Sequence, residues 1–149
     1  LWDKELIDRG NYYLVKACSR NEISKYHLEA RIAYQHSTST DFKKWENVLE
    51  LYNILLQIEY SPVAALNRVF AFSKVYGKKK AIIEAEQLAL TDNLFYHSLL
   101  GNLYTDNDNS KAIQHFRTAL QLTKSISDIA TINKNIVRLT TEKKTTANN

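Results

Sequence analysis

Asp106-Asn107-Asp108-Asn109-Ser110 has the oxygen-rich composition of a calcium loop. An EF-hand loop needs glycine at its sixth position, where the chain turns sharply, and a bidentate glutamate at its twelfth. Counted from Asp106, those places hold Lys111 and Arg117, so the stretch reads as a turn whose side chains bond the local backbone. The four histidines, His27, His36, His97 and His115, include no pair three or four residues apart, and Cys18 is the only cysteine, so no zinc spacing is present. Each histidine reads as a surface or half-buried side chain, with His36 and His97 placed to meet a carboxylate. Three glycines, at 10, 77 and 101, make no phosphate-cradling loop, and there is no Gly-x-Ser-x-Gly elbow. Carboxylate neighbours such as Glu84 and Glu86, or Asp106 and Asp108, sit in exposed helix or turn contexts. Acid–base catalysis needs two acids tuned apart by their surroundings. The expectation is a non-enzymatic chain with no cofactor and no metal.

The elements that position these residues are helical. With 3 glycines and 1 proline in 149 residues, a turn-rich β fold is excluded and an all-α fold is expected. A chain of this length buries roughly 68–70% of its unfolded surface without staples. A single cysteine allows no internal disulfide, which suits a reducing, cytoplasmic setting. No apolar run approaches the ~20 residues of a membrane span, so no membrane partner is expected. The chain starts at Leu1-Trp2, inside what reads as the first turns of a helix, and has no methionine, so it reads as a fragment of a longer protein.

The formal net charge of +4 is uneven: residues 1–60 carry 8 basic and 9 acidic side chains, and residues 61–149 carry 12 and 7. Lys78-Lys79-Lys80 and Lys143-Lys144 make up the surplus. A basic half can attract a polyanion, but a solvated turn and a loose tail explain the same composition.

Periodicity places helices over about Asp3–Ser19, Ser24–His36, Trp45–Ile58, Pro62–Tyr76, Lys79–Leu90, Asn93–Thr105, Ser110–Lys124 and Ser127–Thr140. The third is the clearest: Trp45, Val48, Leu49, Tyr52, Leu55, Leu56 and Ile58 fall at offsets 0, 3, 4, 7, 10, 11 and 13. Ser24 and Asp41 are expected caps. Pro62 suits a first helical turn, where its missing N–H is not needed, and Gly77 suits a left-handed C-terminal position. The inward stripes are Leu28, Ile32 and Ala33 in the second helix, with Tyr26 and Ala30 nearby. The fourth holds Leu66, Val69, Phe70 and Ser73, and the fifth Ala81, Ile82, Ala85, Leu88 and Ala89. The tail from Thr141 to Asn149 is expected to be disordered, leaving a single domain over residues 1–140.

Leu99 to Leu122 carries a further signal. Leu100, Gly101 and Tyr104 precede a polar turn, and Ala112, Ile113, Phe116, Ala119 and Leu120 follow it. Gly101 and Ala119 are small where two helices cross, and Phe116 and Tyr104 fill the space beside them. This resembles a tetratricopeptide (TPR) helix pair with its turn one residue short. Alternate helices begin near 24, 62, 93 and 126, in steps of about 38, 31 and 33 residues against the ~34 of such repeats. The resemblance implies a TPR-like superhelix of about eight antiparallel helices. Peptide-binding grooves of that family often carry Lys, Arg and Asn on the inner helices. Arg31, Asn67 and Arg68 are the candidates here, with His36 as a fourth edge contact.

Five stretches, in order, resemble one family more closely. They are Trp2-Asp3-Lys4-Glu5-Leu6-Ile7, Tyr26 to His36, Trp45 to Leu55 with Leu51-Tyr52, Ser61-Pro62-Val63-Ala64-Ala65-Leu66-Asn67-Arg68, and the pair from Leu99 to Leu122. Together they are similar to the C-terminal TPR-like extension of bacterial sigma factors of the extracytoplasmic-function type. Two departures are Arg31, where a small residue is usual, and the acidic Leu103–Asn109 turn, where a basic one is usual. The resemblance implies regulation of transcription initiation through contacts with the N-terminal sigma regions of the same polypeptide and with RNA polymerase. Promoter DNA would then be reached only through that N-terminal part. A generic TPR scaffold binding a peptide segment of another protein is the alternative.

Overall fold

A computed structural model describes residues 23–38 and 43–147. Among these residues the protein is all-helical, with seven helices and no strand: α1 (Ile23–Thr38), α2 (Lys43–Ile58), α3 (Pro62–Tyr76), α4 (Lys78–Leu88), α5 (Leu94–Tyr104), α6 (Asn109–Leu122) and α7 (Ile126–Ala147). The expected helix over Asp3–Ser19, the Trp2–Ile7 stretch, Cys18 and the Asp41 cap lie outside the described residues. The chain divides into two compact units, Leu1–Val75 and Tyr76–Asn149.

In the first unit, Leu28 and Ile32 of α1, five residues of α2 (Val48, Leu49, Leu51, Tyr52, Leu55), and Ala64 and Ala71 of α3 form one core. Burying a side chain the size of Leu or Val stabilises by about 1.5–3 kcal/mol, so α2, hydrophobic on the broadest face, holds this unit together. The Ser61 hydroxyl accepts from the Ala64 amide at 3.1 Å, capping α3 one residue before Pro62. Three expectations are corrected here. Ser24 lies within α1 instead of capping it. Ala33 and Tyr26 are exposed, and Phe70 turns outward. The buried residues of α3 are instead Ala64, Ala65, Leu66, Val69 and Ala71.

In the second unit, consecutive helices pack side by side: α4 on α5, α5 on α6 and α6 on α7. Ala81 and Ala85 of α4, Leu100 and Leu103 of α5, Ala112, Phe116 and Ala119 of α6, and Ile132 and Leu139 of α7 are buried. The Asn93 side chain caps α5, accepting from the amides of Phe95 and Tyr96. Asp108 caps α6 by accepting from the Lys111 amide at 3.1 Å. The Asp106 amide donates to Asn109 at 2.8 Å, so the polar run is a locally bonded turn.

Two helix ends depart most from the sequence reading. α4 stops at Leu88 because Ala89 takes a left-handed conformation (φ 51°), which turns Ala89 out of the expected inward stripe. α7 continues past Thr140 through Ala147, in the stretch expected to be disordered. Its Glu and Lys residues are good helix formers, and the hydroxyls of Thr141, Thr145 and Thr146 bond carbonyls one turn back. Gly77 has positive φ (93°), but it precedes α4 in an extended conformation open to glycine; it is not the left-handed end expected for α3.

Candidate functional site

Two of the four candidate contact residues meet in one place. A cleft of about 320 Å³ in the first unit is lined by Glu29, Ile32, Ala33 and His36 of α1, Tyr52 and Leu55 of α2, Ser61, and Val63, Ala64 and Asn67 of α3. Its floor is apolar and its edge polar. His36 comes from the end of α1 and Asn67 from the second turn of α3, and the Asn67 side chain hydrogen-bonds the Tyr52 hydroxyl. Burial, only partly offset by that bond, pushes the Tyr52 phenol up, so it stays protonated. Arg68 turns instead toward α2: its Nε donates to Asn53 Oδ1 at 2.6 Å, and its guanidinium sits 5.6 Å from the Phe72 ring centre. Arg31 is half-buried and does not line the cleft.

His36 also closes one end of the cleft against an aromatic edge. Its ring meets Trp45 edge-on at 5.6 Å, and Trp45 in turn meets Phe70 at 5.4 Å. Lys44 and Lys74 lie 5.1 and 5.9 Å from the Trp45 ring centre, and Lys74 lies 5.2 Å from Phe70. Ammonium groups over an indole face are attracted by its quadrupole. Burial and the neighbouring Lys44 charge hold the His36 pKa below its ordinary value, so the ring is neutral at pH 7. Trp45, expected to sit in the core stripe of its helix, is a hub between the core and this edge.

The second unit holds a polar cluster that histidine spacing in the sequence did not show. His97 Nδ1 lies 3.0 Å from His115 Nδ1, and His97 Nε2 lies 2.7 Å from the Thr91 carbonyl. A carbonyl only accepts, so His97 carries its proton on Nε2; its bare Nδ1 then accepts from His115 Nδ1–H. Tyr104 stacks on His115 with rings 8° from parallel and donates to Glu86 Oε1. Burial first, then the Glu86 bond, pushes the Tyr104 phenol up to about 12. Burial and the adjacent His97 hold His115 below the usual histidine value. These contacts link α4, α5, α6 and the turn between α4 and α5. The sequence signal for them was indirect: His97, Gly101 and Tyr104 share a face of α5, and His115 precedes Phe116, which packs on that face.

Among the described residues, no three or more His, Cys, Asp or Glu side chains are grouped to hold a metal ion. None of the described helices is long and apolar enough to cross a membrane. A second cleft, about 230 Å³, lies in the second unit between the start of α5 and α7, edged by Ser98, Asn102, Thr131 and Asn135.

No protein-family model matches the chain. It is 30% identical over 152 residues to an uncharacterized protein of Rhizobium meliloti, an alignment covering 99% of this chain and 36% of that protein. The chain therefore spans about a third of the length of the curated relative it matches. No solved structure matches it.

Proposed function

We propose that this chain is a non-catalytic protein-interaction domain built of TPR-like helix pairs, forming the regulatory extension of a cytoplasmic RNA polymerase sigma factor of the extracytoplasmic-function type. It acts by surface complementarity, modulating transcription initiation through contacts with the N-terminal sigma regions or the polymerase. Promoter DNA is reached through those regions and not through this chain. One observation carries the reading. The stretches Tyr26–His36 and Ser61–Arg68, both similar to the family, bring their polar ends, His36 and Asn67, to the rim of one cleft with an apolar floor. Concave, mostly apolar sites with a few convergent polar groups are where partners bind.

The test is transcription in vitro by polymerase with the full-length parent, against a version truncated before Trp2. Truncation is expected to change initiation, and the sign tells whether the domain activates or restrains. Unchanged initiation would overturn the sigma-factor reading and favour a scaffold that binds a peptide segment of another protein. Substituting Arg31, His36, Asn67 and Arg68 together in the parent tests the residues: unaltered transcription removes them from the contact surface.

A further inference from the structure

We propose that the Trp45 edge of the first unit, with the cleft beside it, docks an acidic protein segment that carries an apolar anchor residue. The proposal rests on the protein-interaction reading above and names the chemistry of the partner.

Three observations carry it. First, Lys44 and Lys74 flank the same indole ring at 5.1 and 5.9 Å. Among the described residues, neither ammonium has a carboxylate within salt-bridge distance. Lys44 donates to the His36 carbonyl at 3.5 Å, a neutral partner that leaves its charge uncompensated, and the exposed aromatic surface beside the two charges is of the kind that anchors interfaces. Phe70, 40% exposed, extends that surface. Second, His36 belongs to both the aromatic edge and the cleft, so the two are continuous. At about 320 Å³ the cleft is at the small end of ligand sites, room for one anchoring side chain over Ile32 and Leu55. Third, the surface is polarised. Glu29 lines the cleft seven residues before His36, about 10 Å away along the helix axis. A bound segment would therefore put its carboxylates toward Lys44 and Lys74 and its apolar residue toward Glu29. Nucleic acid fits less well: its affinity comes from many phosphate contacts, whereas this edge offers two lysines over one ring, with the Glu29 carboxylate in the cleft beside it.

The test uses the 149-residue chain carrying Trp2→Phe, which leaves Trp45 as the one tryptophan and as the reporter. The probes are a short synthetic peptide with leucine beside a run of Asp and Glu, its Asn/Gln counterpart, and a thymidine oligonucleotide. The acidic peptide is expected to shift Trp45 emission saturably, and the amide counterpart to bind roughly ten-fold more weakly. Lys44→Glu with Lys74→Glu is expected to lose at least that factor with an unchanged helical circular-dichroism spectrum, whereas Lys143→Glu with Lys144→Glu keeps full affinity. The proposal is overturned by no saturable shift, by equal binding of the amide peptide, by tighter binding of the oligonucleotide, or by indifference to the Lys44 and Lys74 reversals. The transcription experiment separates the two readings. If truncation alters initiation while the peptide fails to bind, only the partner chemistry falls; if both are negative, the interaction reading falls with it.

Discussion

Gly101 is the residue on which the closest helix contact depends. A methyl group placed there would lie 2.6 Å from the Phe116 ring, well inside contact distance, and that ring, 1% exposed, must shift to make room. Gly101→Ala is expected to destabilise by about 1–3 kcal/mol, the usual penalty for overpacking, read from the denaturant midpoint. Adding Phe116→Leu should recover part of the loss if the clash is the cause. Ala89 shows the reverse situation. Its left-handed backbone is strained for any residue with a Cβ. Ala89→Gly is expected to stabilise by about 0.5–1 kcal/mol, visible as a raised melting temperature. Gly101 was legible in the sequence, because a glycine one helix face from a phenylalanine marks a close crossing. Ala89 was not: alanine is the strongest helix former, and local propensity extended the helix across a residue that the following turn pulls out of it.

At the scale of the elements, the histidine pair joins α5 to α6 and the α4–α5 turn. The folded protein holds His115 below its ordinary value, so the unfolded chain binds that proton more readily. Stability contributed by neutral His115 is therefore complete above the unfolded pKa of about 6.5 and falls as pH drops below it. The urea midpoint is expected to decline between about pH 7.5 and pH 5, and His115→Gln to flatten that decline. Tyr104 works at the other end. With its phenol pushed up to about 12, the stability it contributes is lost as pH rises above its unfolded value near 10. The first turn of α4 carries three lysines, Lys78, Lys79 and Lys80, and no acid, against the positive end of the helix dipole. Lys78 relieves part of this by donating to the Thr105 carbonyl at 3.3 Å. Exposed Lys79 has no such contact, and Lys79→Glu is expected to stabilise by about 0.3–1 kcal/mol at low salt, with the gain fading as salt is added.

For the whole molecule, the last turns of α7 test how far the packed fold extends. Residues 141–146 are all exposed, so their helix rests on propensity and local threonine bonds alone. Ending the chain at Thr140 is expected to leave the melting temperature of the rest unchanged, within about 0.5 kcal/mol. The sequence by itself determined the helical class, the order of the helices and most of the core stripes. Period-3.6 spacing, a proline after a serine cap and the scarcity of glycine are local constraints that act before any tertiary contact. It also rejected the calcium loop, because ligand positions within a loop are fixed by sequence. Only the tertiary structure decided which polar residues meet. His97 and His115 stand 18 residues apart in the chain and 3.0 Å apart in space. His36 and Asn67 share a cleft, while Arg68, the next residue in sequence, turns to Asn53. Neighbours on a helix differ by about 100° in direction, and which direction faces a partner is set by how helices cross, not by either helix alone.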